Sequence, residues 1–259
     1  MRFFKDIRHY FPYCIRAAKS QLKSEVANAY LDWLWWILEP LCRMIVYTIV
    51  FGMIFNAAEP NFPIFLFIGI NMWGFFSKTL NSSVKLIKSN KSIVTKVYIP
   101  KQMLLIKLMM VNAFKMALSF LIIIIMMVIY RVPVSVQMIY AVPIFITLFI
   151  LTYGISCLLM HCGVFVEDMA YVTSILLTML MYFTGIFYSV KNRVPQPWGN
   201  ILNVANPMAY LISLMRDSLL YGVTDHVMIL AVWFVVSVGL ACVGTWIIYK
   251  NENSYVKVI

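Results

Sequence analysis

LLIKLMMVNAFKMALSFLIIIIMMVIY, residues 104–130, decides the solvent in which this chain folds. Over 27 residues it carries two cations, no acid, no proline and no glycine. A helix of that length spans roughly 40 Å, more than the ~30 Å hydrocarbon core of a bilayer. Its apolar residues are continuous and do not alternate, which excludes a barrel strand. In lipid the backbone must satisfy its own hydrogen bonds, so the stretch is a spanning helix. Five further apolar segments flank it, at 33–55, 62–80, 138–160, 171–188 and 227–249.

Composition agrees. The 259 residues are 63% hydrophobic and 12% charged, with a mean hydropathy of +0.86. A soluble domain is about 25% charged, so a water-soluble enzyme is excluded, and so is a disordered chain. Twenty-one Lys and Arg face ten Asp and Glu. These cations cluster in short segments between apolar runs, a pattern that reports topology rather than nucleic-acid binding.

Fourteen Lys and Arg fall on one side of the six spans, in 1–32, 81–107 and the C-terminal tail. Four fall on the other: Arg131, Lys191, Arg193 and Arg216. Positive-inside then predicts a multi-pass protein of the cytoplasmic (inner or plasma) membrane with both termini in the cytoplasm. Lys78, at the expected cytoplasmic end of the second span, agrees, and Trp33, Trp35 and Trp36 fit an interfacial belt.

Residues 1–32 lack the apolar core of a signal peptide. After Pro12 they read as a basic amphipathic helix in the membrane interface, with Arg16, Lys19 and Lys23 near one face. Residues 189–226 hold Pro195, Pro197 and Pro207 yet are largely apolar. They predict two short helices, broken at Asn206-Pro207, that dip back toward the membrane. The fold class is therefore an all-α membrane protein. It has six transmembrane helices, an N-terminal interfacial helix, and a re-entrant pair between spans five and six.

No Gly-Lys dipeptide occurs, so the chain has no P-loop. HExxH and GxSxG are absent too. Five cysteines form no CxxC and three histidines stand apart, which argues against a disulfide framework or a zinc site. Asp32, Glu167 and Asp168 lie near membrane ends. The Glu167-Asp168 pair reads either as a metal site of a lipid-sugar transferase or as two solvated acids.

Buried charges say more. Glu39 and Arg43 lie four apart on one face of the first span, and Lys115 is deep in the third. They read either as a polar path lined by cations or as a structural pair with a snorkelling lysine. Aromatics gather where the fifth span ends: Tyr182, Phe183, Phe187 and Tyr188, with Trp198 and Tyr210 beyond. Trp73, Phe75 and Phe76 lie in the second span. Such faces suit sugar rings, and equally suit ordinary packing.

Three stretches carry a resemblance. YLDWLWWILEPLCRMIVYTIVFGMIF (30–55) resembles the first span of ABC-2 type permeases that export O-antigen, capsule or teichoic acid polymers. FPIFLFIGINMWGFFSKTLNSSVKLIKSNKSIVTKVYIPKQML (62–104) resembles their second span and cytoplasmic loop. MYFTGIFYSVKNRVPQPWGNILNVANPMAYLISLMRDSLLYG (181–222) resembles their aromatic exit and Asn-Pro break.

The resemblance implies a six-helix permease that pairs with a second copy and with two separate ATPase subunits, which bind ATP and Mg. This chain would bind no cofactor and catalyse no covalent step. A lipid-linked glycan would pass between the copies; the residue chemistry above would put Trp73, Phe76, Arg43, Lys115 and the exit aromatics Tyr182, Phe183, Phe187, Tyr188, Trp198 and Tyr210 on its path. Residues 1–32 form the interfacial helix and 33–259 the transmembrane domain. The loop at 81–103 meets the ATPase through Lys85, Lys88, Ser89, Asn90, Lys96 and Tyr98. The family usually carries Arg-Asp where this chain has Glu167-Asp168, and an apolar residue at Arg43. An ABC-2 exporter of small molecules and a membrane-embedded transferase are the alternatives.

Overall fold

The computed structural model describes residues 2–27, 32–54, 59–224 and 227–258. Residues 55–58, His226 and the side chains of Arg2, Asp32 and Lys257, all weighed above, lie outside the described residues.

Helix α1 (Arg2–Val26) is followed by α2 (Trp35–Tyr47), which continues as a π-helical stretch over Thr48–Ile54. Next come α3 (Phe62–Val84), two single-turn helices α4 (Leu86–Ser89) and α5 (Lys91–Val94), and the long α6 (Lys101–Ile129). α7 (Ala141–Phe165) and α8 (Met169–Phe183) form the next pair. Three short helices follow: α9 (Val190–Arg193), α10 (Trp198–Ala205) and α11 (Pro207–Arg216). The chain ends in α12 (Val227–Lys250) and α13 (Glu252–Val258). No strand occurs among the described residues.

Among the described residues, five helical stretches are long and apolar enough to cross a bilayer: 35–54, 62–84, 101–129, 136–165 and 227–250. The sixth, expected at 171–188, is helical only over the 15 residues of α8. That is roughly 22 Å, short of a full crossing. The reason is local. Gly185 takes φ +67°, and the carbonyls of Gly185 and Ile186 accept from the Arg216 guanidinium instead of continuing a helical ladder.

α3 lies at the centre. Sixteen of its 23 residues are buried, and α2, α6, α7, α8 and α11 all pack on it. A helix apolar all round is covered either by lipid or by other helices, and here helices supply most of the cover. α12 packs mainly on α7, where glycines let the backbones approach. A Cβ on Gly154 would sit 2.7 Å from the Ala241 backbone nitrogen, and one on Gly244 2.7 Å from Cys157 Cβ.

The amphipathic reading of α1 holds, but its apolar stripe meets protein. Cys14 is fully buried against Ile99 and Met103 at the start of α6, with Ile7, Tyr10 and Tyr13 beside it. The Cys14 thiol donates to the Met103 carbonyl at 3.5 Å, and Glu25 pairs with Lys115. These contacts advance together along both helices, so α1 runs beside α6. Arg16, Lys19 and Lys23 are exposed.

Five elements meet at this basic end of the bundle: α1, the link between α3 and α6, α7, α12 and α13. The Tyr249 hydroxyl donates to Asp6 Oδ2 at 2.7 Å, and Tyr98 donates to Glu252 at 3.1 Å. Tyr255 of α13 is fully buried, its hydroxyl 2.8 Å from His161 Nδ1. His161 is helical, because α7 runs to Phe165. The expected 161–170 loop shrinks to the few residues around Glu167 and Asp168.

Candidate functional site

Three helices each carry a stripe of polar residues at helical spacing. On α2 it is Trp36, Glu39 and Arg43; on α3, Asn71, Gly74 and Lys78; on α6, Asn112, Lys115 and Ser119. Steps of three and four residues put each set on one face. The three faces converge on a cavity of about 650 Å³, closed on one side by Glu25 and Val26 at the end of α1.

The cavity is a charged space within the apolar bundle. Arg43 Nη2 donates to Glu39 Oε1 at 2.5 Å, one turn away on α2. Lys115 pairs with Glu25 and stands 5.7 Å from the centre of the Trp36 ring, which meets Phe114 edge-on at 5.9 Å. Lys78 makes no hydrogen bond or ion pair among the described residues. Asn112 donates to Thr79 Oγ1 at 3.0 Å and Thr79 to the Phe75 carbonyl at 2.7 Å, a polar thread that ties α6 to α3.

Arg43 and Lys115 thus line one cavity, each paired with a carboxylate. The deep Lys115 does not snorkel alone. Lys78 was expected at a helix end, but α3 continues six residues beyond it to Val84, so it points into the cavity region. Glu25, Asn71, Lys78 and Asn112 were missed as site residues. The three-and-four spacing of polar residues within apolar spans is the signal that finds Asn71, Lys78 and Asn112; Glu25, on α1, carries no such signal.

The Arg43 and Glu39 side chains are 60% and 56% exposed in a single copy. Arg43 lies about 12 Å along α2 from Trp35. Facing acyl chains at such depth, an ionised side chain costs roughly 2.5–3.5 kcal/mol on insertion scales. The face carrying this pair therefore requires water or protein against it.

The aromatic set divides. Tyr182, Phe183 and Trp198 are exposed, at 58%, 56% and 68%. The other members are packing groups, which corrects the expectation of a continuous aromatic path. Phe187 is buried, stacked on Phe51 at 4.4 Å and meeting Tyr47 at 5.0 Å. Trp73 and Phe76 pack on each other at 5.6 Å in the α3 core, and Tyr210 is buried in α11. Tyr188 is half-buried, its hydroxyl donating to the Tyr182 carbonyl at 2.8 Å. Packing turns Trp73, Phe76 and Tyr210 inward on their helices, and Phe187 inward in the turn after α8, whatever their affinity for sugars.

Residues 190–221 start and finish at the end of the bundle opposite α1. The break falls at Asn206, whose side chain accepts from Met208 N at 3.0 Å and Ala209 N at 3.3 Å, capping α11. Lys191 donates to Asp217 at 2.7 Å. α10 is largely exposed, whereas α11 is buried against α3 and α7. Arg216 is no loop cation. It is buried, and its guanidinium donates to the carbonyls of Phe65, Gly185 and Ile186 at 2.8–2.9 Å while lying 3.5 Å from the Phe65 ring centre.

At the basic end, Leu86, Ile87, Val94 and Ile99 anchor the link between α3 and α6. They leave Lys85, Ser89, Lys96 and Tyr98 exposed, with Lys88 and Asn90 half-buried. Asn90 separates α4 from α5, its side chain donating to the Leu86 carbonyl at 2.8 Å. Val97 and Tyr98, each 56% exposed, make an apolar spot among the cations. Among the described residues no three His, Cys, Asp or Glu side chains converge as a metal would need, and Glu167 and Asp168 are exposed.

Comparison with known proteins bears on this architecture. A family profile described as "ABC-2 type transporter" matches residues 17–220. The chain is 25% identical over 214 residues to the O-antigen export system permease protein RfbA of Myxococcus xanthus, covering 82% of each chain. It is 22% identical over 255 residues to the protein of the same name from Klebsiella pneumoniae, covering 98% of this chain and 97% of the relative. It is 25% identical over 205 residues to the polysialic acid transport protein KpsM of Escherichia coli, covering 78% and 79%.

Proposed function

As the chain belongs to the ABC-2 type transporter family, we propose that it is the membrane-spanning permease of an ATP-driven exporter that moves a lipid-linked polysaccharide out of the cytoplasm. The observation that carries this reading is the near full-length similarity to permeases of two polysaccharide systems, O-antigen and polysialic acid. The chain itself hydrolyses nothing; ATP and Mg bind to two separate ATPase subunits. The basic end faces the cytoplasm by the positive-inside asymmetry. There Lys85, Lys88, Ser89, Asn90, Lys96 and Tyr98 meet the ATPase.

The working unit contains a second copy. The π-helical continuation of α2 leaves Ile49 and Met53 exposed, and α8 leaves Tyr171, Ile175 and Met179 exposed. Between two copies these faces enclose a wider passage than one bundle affords, and the Glu39–Arg43 face gains the cover that its charge requires. Residues 190–221 re-enter from the outer side, and Tyr182, Phe183 and Trp198 hold the leaving glycan through weak ring contacts.

A strain lacking this chain should lose its surface polysaccharide and accumulate the lipid-linked polymer inside, and the tagged chain should co-purify with an ATPase. Unchanged surface polymer in the deletion strain would refute the reading.

A further inference from the structure

We propose that the cavity between α2, α3 and α6 is a binding site for the phosphate head group of a lipid. Three cations approach it from three different helices: Arg43, Lys78 and Lys115. Two carboxylates, Glu39 and Glu25, are paired with Arg43 and Lys115. One positive charge is left over, on Lys78, which has no partner among the described residues. Trp35 and Trp36 also line the cavity, and their indole N–H groups donate to nothing among the described residues. An ammonium with three donors and two free indole donors fit an anion with several acceptor oxygens.

The surroundings select a lipid-borne phosphate over a soluble one. The cavity lies among spanning helices, and the flanking α2 and α6 surfaces expose Ile45, Val46, Phe114 and Leu121. An amphiphile matches both parts, with its charged head on the cations and its chains on those apolar faces. At about 650 Å³ the cavity also has room for the group that the phosphate carries. Gly74 widens it: a Cβ there would meet nothing within 4 Å. Identifying this lipid as the cargo's carrier rests on the export reading; the binding itself does not.

The test uses the permease with its ATPase in nanodiscs of zwitterionic phosphatidylcholine, with radiolabelled dodecyl phosphate as the probe. Lys78→Gln removes the unpaired charge without orphaning an acid. Gly74→Leu fills the cavity from an open position. The wild-type complex should bind the probe saturably, and each variant should bind it about tenfold more weakly, the value of one charge-assisted contact. Melting temperature and ATPase co-purification should stay at wild-type values. Inorganic phosphate in large excess should not displace the probe. Wild-type affinity in both variants would overturn the site, and displacement by equimolar inorganic phosphate would overturn its assignment to a lipid. Saturable, variant-sensitive binding alongside unchanged surface polymer in the deletion strain would uphold the site while refuting the polysaccharide cargo.

Discussion

Arg216 shows how much one side chain decides here. Its three guanidinium nitrogens satisfy three backbone carbonyls from two separate segments, the first turn of α3 and the turn after α8. A lysine ammonium cannot reproduce that planar fork. Arg216→Ala would leave the Gly185 and Ile186 carbonyls, which no helical ladder serves, without that donor, at about 1–3 kcal/mol for a buried group so abandoned. Gly69 is the matching small residue, because a Cβ there would sit 2.3 Å from Arg216 Nη2. Gly69→Ala should therefore lower thermal stability about as much as Arg216→Ala, and the double variant should cost little more than either alone. Fully additive losses in melting experiments would show that the two residues act separately.

At the scale of elements, the α7–α12 pair rests on backbone proximity. Lipid offers helices little hydrophobic reason to associate, so close van der Waals packing must hold them. Gly154→Val would drive a side chain into the Leu240–Ala241 backbone, with no flexible neighbour able to yield. Overpacking of this kind costs about 1–3 kcal/mol. Gly239 lies on the same α12 with nothing within 4 Å of its missing Cβ, so Gly239→Ala should be neutral or mildly stabilising. Measuring both by detergent melting separates contact from helix propensity, and equal destabilisation would refute the close-packing account. α1 follows the opposite logic: it is a water-exposed amphipathic helix whose apolar stripe, centred on Cys14, is spent on α6. Burial pushes the Cys14 thiol above its usual pKa, which keeps it protonated and unreactive while α1 stays docked.

For the whole molecule, the two ends of the bundle differ in kind. The basic end gathers α1, the α3–α6 link, the end of α7 and α13 through polar contacts such as Tyr98 to Glu252 and Tyr249 to Asp6. On the proposed reading, a push by the ATPase on Lys96 or Tyr98 would reach the C-terminal helix through Tyr98 and Glu252. Reversing both charges, Lys88→Glu with Lys96→Glu, should reduce export or ATPase co-purification by about fivefold while leaving the melting temperature unchanged. Rim charges tune association more than folding. Normal assembly and normal export in the double reversal would place the coupling contact elsewhere.

The apolar segments, their helical state and the amphipathic character of α1 were all legible in the sequence, because each follows from local composition and period. So was the break at Asn206-Pro207, since proline and a capping asparagine act within one turn. The lengths of α3 and α8 were not. α3 runs on past Leu80 because Ser83 and Val84 are buried against its neighbours while Asn81 and Ser82 stay exposed, and α8 stops early because a guanidinium 30 residues away takes its next carbonyls. The candidate site was half legible. Arg43 and Lys115 stand out as charges in apolar spans, but that they share one cavity with Lys78, and that Glu25 closes it from another helix, depends on which faces three spans turn toward each other. Phe187, Tyr210, Trp73 and Phe76 make the same point in reverse. Their chemistry suits a sugar path, and only the packing of α3 and α11 shows that they lie inside. Period and composition are local properties, whereas the direction in which a helix face points is set by all its neighbours at once.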